Sequence, residues 1–227
     1  MPILPPSHRR FLVVLCGLYA LWWLGCVISP RYPKDWWLEN ILIFFTLGFL
    51  LVTARWFVFS RTSYLLTVVF TAFHTFGAHY TYAEVPVEAW CQTLAGGSME
   101  EVLGWERNHF DRIVHFFYGF LITWPYREVI YYAAAPRRDF WSYLLPVSFV
   151  IATSALYELL EWLAAVVLGG DLGMAFLGTQ GDIWDAHWDM LMATIGSLLC
   201  ALIMLGIQLI TKRDFAKEWG MRYANGR

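Results

Sequence analysis

Asp182, Asp185 and Asp189 lie three and four residues apart, just ahead of a long apolar run at residues 190–210. If a helix starts a turn or two before that run, the i, i+3, i+7 spacing places the three carboxylates on one face. Like charges on one stripe repel. At the edge of hydrocarbon the cost rises, so a cation, a basic partner or a proton must compensate them. The same spacing recurs upstream in Asn108, Asp111 and His115, with Tyr118 one turn further on nearly the same stripe. Glu158 and Glu161 stand well inside another apolar run, about 60° apart around a helix axis. No cheap structural role exists for two glutamates there. His74 and His79 mark the end of a further run.

Carboxylates with imidazole and no thiolate suit Zn, Mn or Fe, whereas carboxylates alone suit Mg or Ca. A metal so held can activate water or clamp a phosphate. On this reading Asp111, Asp182, Asp185 and Asp189 are candidate metal ligands, with a divalent cation (Zn, Mn or Mg) as the cofactor. His79, His115, Glu158 and Glu161 are candidate acid–base groups, and Asn108, Arg112, Tyr118 and Gln180 are candidates for holding substrate. Plainer roles compete. Asp182 suits a helix N-cap, Asp111 an ion pair with Arg112 or Arg107, and His74 a packed, hydrogen-bonded position. Arg127 and Glu128, at the other end of their run, read as a snorkelling side chain and a surface pair. No H-E-x-x-H, G-x-S-x-G or phosphate-cradling glycine loop occurs, so no standard motif names a reaction. The same residues could relay protons in a small transporter, or form an ion-paired plug that locks helices in an assembly partner.

The elements that must position these groups are membrane helices. Of 227 residues, 59% are hydrophobic and 15% charged, against about 25% charged in soluble domains. Runs long enough to cross a ~30 Å hydrocarbon core lie at about 11–29, 40–57, 63–80, 112–132, 140–168 and 186–210. The expected fold is all-α, a single transmembrane domain over 1–227 with about six helices. Lys and Arg gather at the N-terminus, the 55–61 and 136–138 turns and the C-terminal tail, which places both termini in the cytoplasm and the 81–111 loop outside. Arg31 and Lys34 sit on the other side of that count. The N-terminal run is too long for a signal peptide and lacks a small-residue cleavage site, so it is read as a mature helix. The 13 Trp fit interfacial belts. A net charge of −2 gives no reason to expect a nucleic-acid partner, and the four scattered cysteines form no C-x-x-C pair. The expected partners are the bilayer and an amphiphilic or lipid-linked envelope substrate; oligomeric state is left open. His, Asp and Glu thus come to a similar depth on the outer side. The inner half of the second, fourth and sixth runs offers mostly Thr46, Thr53, Thr123 and Gln208. That asymmetry favours a one-sided site, with the 81–111 loop as its cover.

The chain resembles the YjdF-like family of bacterial multi-pass inner-membrane proteins, whose activity is not established. The resemblance rests on Asp35-Trp36-Trp37-Leu38-Glu39-Asn40, the 74–86 and 107–119 stretches, Tyr157-Glu158-Leu159-Leu160-Glu161-Trp162, and the 178–190 block. It implies an inner-membrane location and brings no catalytic residues. A fainter similarity is to VanZ-like membrane proteins. Asp111, Arg112 and His115 would open one helix of that pattern, Glu158 or Glu161 would mark the next, and Asp185, Asp189 and Gly196 the following one. Asp189 stands where that pattern usually has Asn.

Overall fold

A computed structural model describes residues 5–136, 139–170 and 179–224. Most of the glycine-rich loop expected at 169–181, together with Arg137, Arg138 and Arg227, lies outside them. Nine helices are described: α1 (Pro6–Val27), α2 (Pro33–Thr53), α3 (Arg61–His79), α4 (Val87–Ala95), α5 (Met99–Leu103), α6 (Phe110–Ala133), α7 (Asp139–Leu168), α8 (Asp185–Thr211) and α9 (Phe215–Ala224). No strand occurs among the described residues. The helices α1, α2, α7 and α8 are each long and apolar enough to cross a membrane. Their outward faces carry exposed Val13, Phe45, Leu51, Val167 and Leu202, a reversal of the soluble pattern that hydrocarbon accommodates. Helices α3 and α6, of 19 and 24 residues, are also long, and each buries four polar side chains: Ser63, Thr71, His74 and Thr75 on α3, and His115, Thr123, Arg127 and Glu128 on α6.

Helix starts follow local chemistry. Pro33 occupies the first turn of α2 and Asp35 follows it, a pairing suited to the orphan N–H groups and positive end of a helix. The helix therefore begins seven residues before the expected span at 40. Asp35 and Glu39 become buried helical residues instead of loop, with Asn40 buried after them. The 81–111 loop likewise contains α4 and α5. Ser98 and Glu101 form a capping box at the start of α5.

The central contact is between α6 and α8. At Gly119 a Cβ atom would overlap the Ala193 carbonyl, and at Gly196 it would overlap that of Phe116, so the two backbones touch. Thr123 donates to Gly119 O at 2.6 Å, which leaves its oxygen to accept from Ser197 Oγ at 2.5 Å. This crossing fixes the register that brings Asp111 and His115 beside Asp189.

Where α6 ends, the sequence expectation fails. Arg127 and Glu128 neither snorkel nor lie on the surface; they are 2% and 0% exposed. Arg127 donates to both oxygens of Asp214 at 2.8 and 2.6 Å and packs over Tyr143 at 3.9 Å. Glu128 accepts from Ser60 N–H, Ser60 O–H and Trp124 Nε1–H. The reason is α9, which folds back along α6. Gly220 lets it approach the Glu128 carbonyl and Tyr131, and Asp214 leads it in. Trp219 of α9 stacks on His8 of α1 at 5.8 Å, so the two terminal segments share one end of the bundle.

Candidate functional site

At the opposite end, where α6 and α8 begin, acidic side chains meet. Asp111 and His115 stand one turn apart on α6, and Asp189 faces them from α8. One ligand atom from each lies within 4.8 Å of the others. The imidazole has two acidic neighbours: Nε2 is 3.6 Å from Asp111 Oδ1, and Nδ1 is 3.8 Å from Glu158 Oε1 on α7. Asp189 is 2% exposed, yet its Oδ1 has no hydrogen-bond partner, and Glu158 Oε1 has none either. A buried acceptor left bare costs about 1–3 kcal/mol, more when charged. Two of them facing one histidine make a set of oxygen and nitrogen donors of the kind a divalent cation takes.

Asp182 and Asp185 are held elsewhere. Helix α8 starts at Asp185 with Trp184 as its N-cap, so Asp182 lies before the helix and off the stripe. Its carboxylate accepts from Trp184 N–H at 2.9 Å and from Arg112 Nη2 at 2.6 Å. The Trp184 bond, helped by the Arg112 and Arg107 guanidiniums, holds its carboxyl below the usual range. Asp185 is taken by Arg107, whose other arm donates to Thr179 O at 2.5 Å. The two arginines thus cross-link the entrances of α6 and α8. Asp111 pairs with neither of them, contrary to the ion-pair alternative. His109, the N-cap of α6, accepts from Arg112 Nη1 at 2.9 Å. Burial, then Arg112 and Arg107, lowers its pKa.

Glu39, which sequence reasoning left in a loop, joins the cluster from α2. Its Oε2 accepts from the Tyr157 hydroxyl at 3.1 Å. His74 Nε2 faces the Glu39 carbonyl at 3.0 Å, so that nitrogen carries the proton. Nδ1 then accepts from the Tyr82 hydroxyl at 2.6 Å. His74 is consequently a packed, fully bonded histidine, as its plainer role anticipated. Tyr82 gets there because Thr81 and Tyr82 both take left-handed φ values, 52° and 54°, which side chains other than Gly rarely adopt. The turn lays the tyrosine ring against Gly77, where a Cβ would collide with it. Pro33 and Asp35 were the signals that could have put Glu39 on a helix.

The remaining candidates fall into three places. Glu161 joins the cluster, with Glu158, Asp111, Glu39 and Asp189 in electrostatic range. Asn108 and Gln180 tie loops together: Asn108 donates to the carbonyls of Ala83 and Val85, and Gln180 donates to Asn108 O. His79 and Tyr118 stand apart. His79 Nδ1 donates to Cys26 O at 2.7 Å beside Trp36, and Tyr118 bonds Thr153 and Tyr126 deeper in the bundle.

Residues 11–209 match the family described as "Predicted membrane protein (DUF2238)". The inner membrane protein YjdF of Escherichia coli (strain K12) is 34% identical over 177 residues, covering 78% of this chain and 80% of that protein. No solved structure matches. With its apolar helices, these similarities bear out the resemblance to the YjdF-like proteins: the chain belongs to the DUF2238 family and is an integral protein of the inner membrane.

Proposed function

We propose that the protein is a six-span membrane protein, both termini cytoplasmic, that binds a divalent cation in the outer leaflet and acts with it on an amphiphilic or lipid-linked envelope substrate. Six spans are supported by the lengths of α3 and α6 beside the four more apolar helices. The orientation is supported by Arg9, Arg10, Arg55, Arg61, Lys212, Arg213, Lys217 and Arg222, which mark the end where His8 meets Trp219 as the positive, inner one.

The observation that carries the metal reading is Asp189, 2% exposed with a bare Oδ1, within 4.8 Å of ligand atoms of Asp111 and His115. Two carboxylates and an imidazole suit Zn or Mn. Three protein ligands leave a coordination position open, as catalytic sites do, for a water or a phosphoryl oxygen. Arg107 and Arg112 line the entrance. An anionic head group arriving there competes with Asp182 and Asp185 for their guanidiniums. The α6/α8 crossing at Gly119 and Gly196 and the Arg127 network close the far side, which favours access from one face over a relay through the bundle.

The test is the metal content of protein purified in mild detergent, without chelator or a metal-binding tag, beside Asp189→Asn and His115→Ala. Stoichiometric metal in the wild type and its loss from both folded variants is the expected result. A folded wild type that neither carries metal nor takes up added Mn²⁺ or Zn²⁺ would overturn the reading and leave a proton relay as the better account.

A further inference from the structure

The end of the bundle away from the carboxylates has a concavity of its own, a cleft of about 460 Å³ between the end of α2, the 54–60 link and the last turns of α6. Helix α2 stops at Thr53, whose carbonyl accepts from both Trp56 N–H and Phe57 N–H at 2.9 Å. That turn sets the Trp56 ring at the mouth and sends Phe57 inward. The back wall is fixed. Phe57, 3% exposed, stacks on Tyr132 of α6 at 4.8 Å and meets Phe59 edge-on at 4.9 Å and Tyr223 of α9 edge-on at 5.4 Å. The front is open, with Phe49 and Trp56 47% and 53% exposed on a helix apolar enough to lie in hydrocarbon. The Thr53 hydroxyl, also in the lining, donates to Phe49 O at 2.7 Å, so the hydrogen of that wall's one hydroxyl is spent on its own helix. A cleft of this size with apolar, mostly aromatic walls is built as small-molecule sites are, at about 300–1,000 Å³ with a few polar groups to fix orientation.

The orienting group stands at the mouth. The Arg55 guanidinium lies 3.7 Å over the Trp56 ring, a contact that places the cation without neutralising it. Arg127 and Arg213 each have a carboxylate partner, whereas Arg55 is exposed and has none among the described residues. We infer that the cleft binds an anionic glycerophospholipid, one acyl chain along the aromatic walls and the phosphate on Arg55. The two halves of the site select the two halves of that ligand. A guanidinium suits a phosphate geometrically, and walls of rings suit a hydrocarbon chain. A soluble anion would leave the walls uncovered, and an uncharged hydrocarbon would leave Arg55 unmatched. Basic pockets between membrane helices on the cytoplasmic side are where anionic head groups settle. The leaflet rests on the orientation proposed above, which makes this the cytoplasmic one. The chemistry rests on the cleft and Arg55, so the site stands apart from the cation at the other end.

Native mass spectrometry counts lipid per chain. Full-length protein, delipidated in mild detergent, is offered dioleoyl phosphatidylglycerol and dioleoyl phosphatidylcholine in equal amounts, so that the chains match and only the head-group charge differs. Retention of one phosphatidylglycerol per wild-type chain, in preference to phosphatidylcholine, is expected. Arg55→Gln should lose the preference, weakening phosphatidylglycerol about fivefold, the worth of one basic side chain at an anionic lipid surface. Thr53→Phe, which fills the cleft, should weaken both lipids. Arg10→Gln removes the same charge from an exposed position outside the cleft and should behave as the wild type. A wild type without preference, a preference that survives Arg55→Gln, or retention unchanged by Thr53→Phe would overturn the assignment. A dimer that retains no lipid would also overturn it and give the cleft to a second copy of the chain. Arg55 is exposed, so Arg55→Gln decides alone if Thr53→Phe fails to fold. Detergent has no leaflets and no divalent cation is added, so failure here leaves the orientation and the metal reading untouched.

Discussion

Arg127 and Glu128 at one end of α6 and Asp111 and His115 at the other lie on the same helix, yet their surroundings treat charge in opposite ways. At the Asp214 end Arg127 gives both Nη groups to Asp214, its Nε to Ser142 O, and its face to Tyr143. Glu128 accepts three hydrogen bonds. None of the side-chain atoms of Arg127, Glu128 or Asp214 is buried without a partner. At the Asp111 end carboxylates crowd one another, and Asp189 Oδ1 and Glu158 Oε1 are bare. Buried charge with every donor and acceptor matched is architecture. Buried charge with acceptors left open calls for a compensating cation, water or proton. The fold tolerates the second arrangement because α9, the α6/α8 crossing and the arginine clamp hold the helices independently of it.

The sharpest break of this contrast is to remove one member from each end. Arg127→Met leaves the buried Asp214 carboxylate without its guanidinium and takes one donor from Ser142 and the cation from the face of Tyr143. Truncating one side of a buried pair costs about 3–5 kcal/mol. The variant should melt far below the wild type in detergent, or fail to elute as a single folded species. Replacing Asp214 by Leu in the same chain should recover part of the loss, because the uncompensated charge goes with it. Asp189→Asn in metal-free protein should leave the melting temperature unchanged or raise it, since it relieves repulsion. If Asp189→Asn destabilised the metal-free protein as much as Arg127→Met, the Asp111 cluster would be a structural plug and the contrast would collapse.

The two ends were unequally legible in the sequence. Apolar runs gave the positions of α1, α2, α3, α6, α7 and α8 to within a turn or two, because hydrocarbon thickness sets their length. Asp111, His115, Glu158, Glu161 and Asp189 were legible as candidates because charge inside such runs is conspicuous. Glu39 was not, since it precedes the apolar part of α2 and only the Pro33 start signal places it on a helix. Asp182 and Asp185 look equivalent to Asp189 in spacing. Only the locations of Arg112, 70 residues from Asp182, and Arg107, 78 residues from Asp185, separate a clamp from a candidate ligand. The Arg127 network was hidden for a similar reason. Its partner Asp214 lies 87 residues away, ahead of a polar tail whose folding onto α6 depends on Gly220.

A smaller change sharpens the comparison by moving helices and sparing charge. At Gly196 a methyl group would collide with the Phe116 carbonyl and press on Phe120 N, whereas at Gly206 on the same helix it meets nothing within 4 Å. Gly196→Ala should cost about 1–3 kcal/mol by overpacking and push Asp189 away from Asp111 and His115. Metal affinity should then fall while the Arg127 end stays protected from hydrogen exchange. Gly206→Ala, nearer the C-terminal end of the same helix, should be neutral or slightly stabilising and leave metal binding alone. If Gly196→Ala bound metal as the wild type does, ligand geometry would not depend on the crossing.

The smallest effect expected is on pH. His109 has a lowered pKa, chiefly from burial and then from Arg112 and Arg107, and its neutral ring accepts from Arg112. A histidine held neutral by the fold contributes stability that is complete above its ordinary value of 6.5 and is lost as pH falls from there toward the folded value. Asp182 is held below its ordinary 3.8 by the Trp184 N–H and the arginines. Its contribution is present above that value and lost as pH falls through the lower, folded one. Both act in the same direction, so acid should loosen the clamp in two steps, His109 first. Hydrogen exchange of peptides covering 179–185, corrected for intrinsic rate, should show protection declining below about pH 6.5, while peptides around Arg127 stay unchanged over that first step. In His109→Asn, which keeps an acceptor for Arg112 without a titrating ring, the first step should vanish and the second remain. A first step that persisted in His109→Asn would assign the acid response to another group and detach the clamp from its pH dependence.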